Sequence, residues 1–297
     1  MKIAITGANS SVGMNLLAQV SHQPDLSFIA GVRSESARAA LPESTQIEGR
    51  CIRYDDPAEL AKQLDGAECV VHLAGILIEA KTTKYQQANV DATRTVVEAA
   101  KLVGAKHLVF ISVVGASASS SNAYFRSKGE AEDIVADSGL SATVIRTPIL
   151  LGPGTAGASA LVGAAKNPKA KALGGGHYKM RPLDIDDLNA AIFNACRAQA
   201  PGCARHDLVG PEAIAYCDLI TDTAKRIDPA STLQVGSIPI GFTKMMALLT
   251  STLRGGGFTP TVIDVITQDE VVEHNATAEL GVTLTPLTRT IEKILEQ

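Results

Sequence analysis

The chain has 297 residues, of which 45% are hydrophobic and 20% charged, and its formal net charge is −4 at pH 7. This length allows one elaborate domain or two modest ones around a large core. Lys and Arg form no run, so there is no electrostatic case for binding nucleic acid or an anionic membrane surface, and the expected partner is a small molecule.

The first residues resemble a strand rather than a secretory signal, and the longest apolar run, near residues 70–78, is about half of what a bilayer-spanning helix needs. Five cysteines lie far apart, and six histidines show no metal-ligand spacing. We therefore predict a cytoplasmic protein with reduced thiols, no transmembrane segment and no metal site.

Apolar β-rich runs alternate with helix-like segments through the first half of the chain. The strand-like runs are "KIAIT", "SFIAGV", "CVVHLAG", "HLVFISVVG" and "ATVIRTPILLG". This alternation indicates right-handed βαβ units around a buried parallel sheet with helices on both faces. The predicted fold class is α/β, a doubly wound parallel sheet.

The alternating pattern loosens after Gly152, where Gly and Ala become frequent. We predict a nucleotide-binding domain over residues 1–155. Residues 156–297 are predicted to form mainly a smaller C-terminal cap, with the segment near 181–195 returning to the core. There "DIDDLNAAIFNAC" predicts an aspartate-capped helix, and "DLVGPEAIAYCDLITDTAKRI" predicts a further strand and helix.

The stretch "TGANSSVG" (residues 6–13) lies between the first strand and the first helix. In such a turn, backbone N–H groups and the helix N-terminus face a diphosphate, and the phosphate approaches small residues. Ser10 stands at a common glycine position, but it is small and its hydroxyl can donate to phosphate. The predicted cofactor-binding residues of this loop are Gly7, Asn9, Ser10, Ser11, Val12 and Gly13.

The second strand ends near Arg33, where a dinucleotide fold usually presents an acid to the adenosine ribose. The sequence there is "GVRSESAR", with no acid at the tip. A guanidinium pairs well with the 2′-phosphate of NADP. Arg33, with Ser34 and Arg38 as further candidates, therefore favours NADP(H) over NAD(H).

Tyr124 and Lys128 in "AYFRSKGEAE" are four residues apart, which places both on one face of a helix. A phenol becomes an effective acid–base catalyst when a nearby ammonium favours its ionised form. Tyr124 is then expected to exchange a proton with a substrate oxygen while a hydride moves at the adjacent carbon.

The motifs "TGANSSVG", "HLAG", "NVDATRTVVEAA", "FISVVG", "YFRSK", "VIRTPILLGPG" and "RPLDIDDLNAAI" occur in one order along most of the chain. In this order they resemble the short-chain dehydrogenase/reductase superfamily, particularly its extended and atypical branches. The resemblance implies a Rossmann-like fold and an oxidoreductase that binds NAD(P).

The resemblance also implies roles for residues outside the loop. Leu73, Ala74 and Gly75 would line the cofactor path, and Asn89 would support the lysine and a water in the active site. Thr147 and Pro148 would contact the nicotinamide carboxamide through their backbone. Near the adenine ring, the resemblance implies contacts from Tyr54 and Asp55.

Two departures from the family pattern, besides Ser10, affect this interpretation. Arg53 stands where many relatives have an aspartate near adenine. The substrate-binding Ser or Thr of the family falls at Val113 or Val114, which leaves Ser112 as the candidate, or Ser117 if its loop folds back.

Three functions stay open. The first is an NADP(H)-dependent oxidoreductase acting on a small apolar carbonyl or alcohol. The second is a non-catalytic NADP(H)-binding protein with a stability, assembly or redox-sensing role. It is suggested by a resemblance of the chain to the nucleotide-binding accessory subunit of respiratory complex I and its bacterial relatives. That resemblance would imply an oligomer or a partner in a respiratory complex. The third is a nucleotide-sugar epimerase or dehydratase, for which only Arg181 and Arg254 could grip a second diphosphate.

Overall fold

The computed structural model describes residues 1–254 and 257–296, with side chains for residues 1–251 and 257–296. In chain order the strands are β1 (Lys2–Thr6), β2 (Ser27–Val32), β3 (Ile47–Cys51), β4 (Cys69–His72), β5 (His107–Val113), β6 (Ala142–Thr147), β7 (Leu150–Leu151), β8 (Lys171–Leu173), β9 (Lys179–Met180), β10 (Leu183–Asp184), β11 (Cys203–Asp207), β12 (Ile214–Ala215) and β13 (Gly236–Ile238).

The helices follow the same order: α1 (Ser11–Ala18), α2 (Glu35–Ala39), α3 (Pro57–Gln63), α4 (Ala92–Leu102), α5 (Ala123–Ala136), α6 (Ala156–Ala165), α7 (Ile185–Ala198), α8 (Tyr216–Ile227), α9 (Ile240–Arg254), α10 (Pro260–Ile266) and α11 (Leu287–Leu295). A π-helical turn over Gln86–Asp91 leads directly into α4.

Seven strands form one parallel sheet in the order β11-β6-β5-β4-β1-β2-β3. The chain starts in the middle of this sheet, builds one edge through β3 and then crosses back to β4. This is the doubly wound topology, and it confirms the predicted fold class. The reversal between β1 and β4 opens a crevice at the carboxyl ends of these strands.

Alternating strand residues serve two cores because successive side chains point to opposite faces of a sheet. Ile3 and Ile5 join the core under α1 and α7, whereas Ala4 joins the core under α3, α4 and α5. All three side chains are fully or almost fully buried. Both faces of the sheet are therefore covered, which explains why these strands are continuously apolar.

Besides the segment near 181–195, the C-terminal half contributes a strand, β11, to the central sheet. The predicted aspartate cap is present: the Asp184 carboxylate accepts a hydrogen bond of 2.9 Å from the Asp186 N–H at the start of α7. Beyond α7, β11 pairs with β6 as the seventh strand. The segment "DLVGPEAIAYCDLITDTAKRI", predicted to hold a strand and a helix, contains the short β12 and α8. The strand that joins the central sheet, β11, precedes it in the polar run "CARHD". The other C-terminal helices include α6, α8 and α11, which share a separate apolar core.

Within residues 1–254 and 257–296, no helix is long and apolar enough to cross a membrane.

Candidate dinucleotide site and catalytic pair

A cleft of about 870 Å³ opens at the carboxyl ends of β1, β2 and β4. Its volume is in the range of ligand pockets, and its position is the one where doubly wound sheets bind dinucleotides. The predicted cofactor residues that line it are Gly7, Asn9, Ser10, Arg33, Tyr54, Asp55, Leu73, Ala74 and Gly75.

The phosphate loop depends on two glycines that pack against backbone. Gly7 has φ +78°, and a Cβ there would lie 2.9 Å from the amide nitrogen of Ala74. A Cβ on Gly13 would lie 2.4 Å from the carbonyl oxygen of Ala8. These contacts hold the start of α1 close to the end of β1, so that only glycine fits at either position without a backbone shift.

Ser10 is the N-cap residue of α1. Its hydroxyl oxygen accepts a hydrogen bond of 3.1 Å from the Gly13 N–H, so its own proton can still be donated. Ser11 and Val12 form the first turn of the helix with Gly13. The helix N-terminus, the small residues and the free hydroxyl proton fit a dinucleotide pyrophosphate.

Arg33 lies on the cleft wall just after β2, and among the described residues no carboxylate is within ion-pair distance of it. The two neighbouring guanidinium groups are occupied: Arg38 pairs with Glu35 at 2.6 Å, and Arg53 pairs with Asp55 at 2.5 Å. Of these three arginines, Arg33 is therefore the one without an acidic partner in the described part of the chain.

Two of the predicted adenosine contacts have other roles in the structure. Ser34 caps α2, since its hydroxyl accepts from the Ala37 N–H at 3.2 Å. Asp55 is held by Arg53. The side chain of Tyr54 is partly buried, and this burial raises the pKa of its phenol to about 12.

A buried hydrogen-bond chain runs behind the phosphate loop, and sequence reasoning did not find it. Thr6 is 2.7 Å from His72 Nδ1, His72 Nε2 is 3.1 Å from the hydroxyl of Thr93, and Thr93 donates to the carbonyl oxygen of Asn89 at 2.6 Å. Since Thr93 uses its proton on Asn89, it accepts from His72 Nε2–H, and Thr6 then donates to Nδ1. Burial lowers the pKa of His72 to about 3, so the ring is neutral.

Asn89 binds the loop after β4 through hydrogen bonds from its side chain to the backbone of Ile76. Its side-chain oxygen accepts from the Ile76 N–H at 2.8 Å, and its amide donates to the Ile76 carbonyl at 3.2 Å and to the Ser127 hydroxyl at 2.9 Å. The π-helical turn widens the helix here, as such turns do at many functional sites. Asn89 thereby fixes the end of the cleft against α5, the helix that carries Tyr124 and Lys128.

Tyr124 lies in an apolar pocket above this junction. Its ring is 5.8 Å from the ring of Tyr85, and its other apolar neighbours include Ile76, Val113 and Val265. No group among the described residues forms a hydrogen bond with its hydroxyl. Burial, and then Tyr85, raise the pKa of Tyr124, so the phenol is protonated at neutral pH.

Lys128 is buried one helical turn beyond Tyr124. Its ammonium donates to the Ile111 carbonyl oxygen at 2.9 Å and lies 4.3 Å from the centre of the Phe110 ring. A Cβ on Gly75 would be 3.9 Å from Lys128 Nζ, so the lysine reaches the end of the cleft. Burial lowers the pKa of Lys128 to about 8.

Ser112 points to a different partner from the one expected. Its hydroxyl donates to the buried carboxylate of Glu132 at 2.6 Å, and Arg146 forms an ion pair with the same carboxylate at 2.6 Å. With its proton used on Glu132, Ser112 cannot also donate to a substrate carbonyl, which argues against the predicted catalytic role.

The remaining predicted residues lie outside the cleft lining. Thr147 is buried, and its hydroxyl donates to the Ser112 carbonyl oxygen at 3.3 Å. Pro148 connects β6 to β7. The loop of Ser117 does fold back on α5, where a Cβ on Gly129 would lie 2.2 Å from the Ser117 carbonyl carbon, but the Ser117 hydroxyl pairs with Ser119 at 2.9 Å.

Comparisons with known proteins identify the family and the fold of this chain. The family described as NAD(P)H-binding matches residues 7–173, more than half of the chain. The "Ceramide reductase" of Caulobacter vibrioides is 29% identical over 231 residues, which cover 75% of this chain and 69% of that protein. The "Uncharacterized sugar epimerase YhfK" of Bacillus subtilis is 29% identical over 167 residues, 54% of this chain and 78% of that protein.

Solved structures show the same fold over nearly the whole length. MoeE5 in complex with UDP-glucose and NAD has a TM-score of 0.74 at 17% identity, covering 100% of this chain and 98% of that one. DesIV, a dTDP-glucose 4,6-dehydratase from Streptomyces venezuelae with NAD bound, has a TM-score of 0.75 at 16% identity with the same coverage. This chain belongs to the NAD(P)H-binding family, and its Rossmann fold is that of the NAD-binding epimerases and dehydratases.

Proposed function

We propose that the protein is an NADP(H)-dependent oxidoreductase that reduces an apolar carbonyl compound to an alcohol. The observation that carries this proposal is Tyr124, a largely buried and protonated phenol that packs against Ile76 of the cleft lining. Its hydroxyl has no hydrogen-bond partner among the described residues and is not one of their fully buried unpaired atoms, so it is open to a substrate oxygen.

The reaction needs one hydride and one proton. Bound NADPH would supply the hydride to the carbonyl carbon and would be oxidised to NADP⁺. Tyr124 gives its phenolic proton to the carbonyl oxygen as the C=O double bond becomes a C–O single bond. Lys128, held by the Ile111 carbonyl, is charged at neutral pH and favours the resulting phenolate.

Arg33 supports the preference for NADPH. It lies on the cleft wall without an acidic partner, whereas an NAD-selective site presents a carboxylate to the ribose hydroxyls. A 2′-phosphate would accept a bidentate pair of hydrogen bonds from this guanidinium.

The walls around Tyr124 support an apolar substrate. Val113 or Val114 stands where the family has its substrate-binding Ser or Thr, and Val113 packs beside Tyr124 together with Ile76 and Val265. Without a second hydroxyl, polarisation of the carbonyl depends on Tyr124 alone. The name of the Caulobacter relative, a ceramide reductase, also favours a lipid-like carbonyl over a sugar.

The test combines binding and turnover. Titration calorimetry with NADPH is expected to show binding to the parent, to Tyr124→Phe and to Tyr85→Phe alike. NADPH oxidation with a series of long-chain and short-chain ketones is expected to fall at least about a hundredfold in Tyr124→Phe. Tyr85→Phe is the matched control, since the Tyr85 hydroxyl donates to the Leu77 carbonyl at 2.7 Å and touches no reacting atom. Equal rates in the parent and Tyr124→Phe would refute the role of Tyr124.

A second candidate, a non-catalytic NADP(H)-binding protein with a stability or assembly role, is favoured by one observation. Ser112 donates to Glu132 and Val113 has no hydroxyl, so neither of these two residues can assist Tyr124 as a second donor. NADPH binding without oxidation across the whole ketone series would support this candidate.

The epimerase alternative has weaker support. Arg181 donates to the carbonyl oxygens of Gly210 and Pro211, both at 3.2 Å, so its guanidinium is already engaged. The side chain of Arg254, the other candidate, lies outside the described residues.

A further inference from the structure

Helix α9 presents a broad apolar surface to solvent. Five large side chains, which we call the α9 face, are between 42% and 58% exposed: Phe242, Met245, Met246, Leu248 and Leu249. Exposed apolar side chains are common singly, but a contiguous group on one helix marks an interaction surface.

The opposite side of α9 is already packed against the protein. Ala247 is buried with Leu173 of β8 and Ile263 of α10. At 100° per residue, the α9 face covers roughly 160° of the helix, centred opposite Ala247. A helix partner in a coiled coil uses only two positions in seven, so this wide face suits a flat apolar partner better than a second helix.

A second apolar segment lies at the entrance to the Tyr124 pocket. Leu77, Ile78 and Phe258 are 37%, 47% and 46% exposed. The Gly257 N–H donates to the Glu79 carbonyl oxygen at 2.9 Å, which joins the chain after α9 to the loop that carries Leu77 and Ile78.

This loop connects the surface to the proposed active site. Ile76, the residue before Leu77, packs against the cluster of Tyr124, Tyr85 and Phe125. On the other side, Val265 of α10 packs against the same cluster, while Ile263 of α10 supports α9. An apolar molecule that enters between these segments would contact Ile76 and Val265, which pack with Tyr124.

The sequence of this region also lacks negative charge. Residues 229–263 contain no Asp and no Glu, although the chain has 31 such residues. Lys244 lies on the flank of α9 and pairs with Asp264 of α10. No carboxylate in this stretch would therefore repel lipid phosphates or hold water at the apolar surface.

We propose that the α9 face docks in the plane of a lipid bilayer and that the substrate of Tyr124 is an amphiphile taken from that bilayer. The 15 residues of α9 span about 22 Å at 1.5 Å per residue, less than the roughly 30 Å of a hydrocarbon core, so the helix lies along the interface. The docking rests on the apolar surface alone, whereas the assignment of the substrate rests on the proposed function.

The docking is tested with phosphatidylcholine vesicles. The chain has no Trp, so Phe242→Trp places a single reporter in the α9 face, and its emission is expected to shift to shorter wavelength on addition of vesicles. In co-sedimentation, Phe242→Ser combined with Met245→Ser is expected to lower the vesicle-bound fraction at least about tenfold, because burial of these two side chains drives partitioning. The matched control combines Leu102→Ser and Val271→Ser, which remove apolar side chains that are 63% and 80% exposed elsewhere.

Each outcome decides a separate part of the proposal. No sedimentation of the parent with vesicles, or equal losses in the control, overturns the docking. Light scattering that shows a dimer of the parent but a monomer of Phe242→Ser/Met245→Ser also overturns it, since a second copy then covers the face. If the docking holds but Tyr124→Phe oxidises NADPH as fast as the parent with a long-chain ketone in vesicles, the docking stands and the proposed function fails.

Discussion

The hydroxyl of Ser112 donates its proton to the carboxylate of Glu132 across 2.6 Å, and both residues are 1% exposed. Arg146 and Arg205 bind the same carboxylate from β6 and β11. The residue expected to bind substrate is thus part of a buried ionic network that ties α5 to three strands.

Ser112→Ala is therefore expected to act on stability. Loss of a hydrogen bond to a buried charge costs about 1.5–3 kcal/mol, so the free energy of unfolding in urea should fall by that amount. NADPH affinity and turnover should stay within about twofold of the parent. Ser117→Ala, on the exposed loop nearby, is the control and should change neither. A fall in turnover at unchanged stability would restore Ser112 to the catalytic site.

Gly13→Ala is expected to abolish the phosphate site, since the new Cβ would lie 2.4 Å from the Ala8 carbonyl oxygen and force the loop away from α1. NADPH affinity measured by calorimetry should fall at least about tenfold. Gly163→Ala in α6 is the matched control because a Cβ there has no neighbour within 4 Å. It should leave NADPH binding intact and raise stability by about 0.5–1 kcal/mol, the helix preference of Ala over Gly.

Arg33→Ala is expected to weaken NADPH binding about tenfold or more and to leave NADH binding within about twofold, because only NADPH carries the 2′-phosphate. Arg53→Ala removes a guanidinium that is paired with Asp55, so it should affect both cofactors equally and weakly. Retention of the parent's NADPH preference in Arg33→Ala would contradict the assignment.

His72 is expected to make the folded protein less stable as the pH becomes acidic. Burial lowers its pKa to about 3 in the folded protein, against 6.5 as the usual value, so between these values the unfolded chain binds a proton that the folded protein does not. Its contribution to stability is complete above pH 6.5 and is lost as the pH falls toward 3, with a slope of up to about 1.4 kcal/mol per pH unit.

Urea titrations from pH 7 to pH 4 test this expectation. His72→Gln should show a shallower loss of stability toward acid pH than the parent, even if it is less stable at pH 7. His22→Gln, which changes an exposed histidine, should keep the parent's slope. Parallel curves for the parent and His72→Gln would show that His72 is not the titrating group.

The sequence was sufficient for the sheet and for the cofactor loop because both depend on local patterns. Apolar runs of strand length mark β1, β2 and β4, and the spacing of Gly7 and Gly13 marks the turn that must pack closely on backbone. The polar run of β11 gives no such signal, because an edge strand buries less apolar surface, so its place in the sheet could not be read from residues 203–207.

Contacts between residues that are distant along the chain could not be predicted from the sequence. Ser112 and Glu132 are twenty positions apart, and nothing in either neighbourhood indicates that one hydroxyl faces the other residue rather than the substrate. The chain from Thr6 through His72 to Thr93 likewise joins three elements. His72 lies in the apolar strand β4, and only the three-dimensional structure shows its polar partners.

The pairing of β11 with β6 has a consequence for how the chain can be divided and synthesised. Residues 203–207 complete the sheet about 55 positions after β6 ends, and Arg205 brings a second positive charge to Glu132. A fragment that stops at residue 155 or 173 would leave β6 as an open edge, ready to pair with another chain. During translation the same edge stays uncovered until residues 203–207 have left the ribosome, so in that interval the nascent chain can associate through β6.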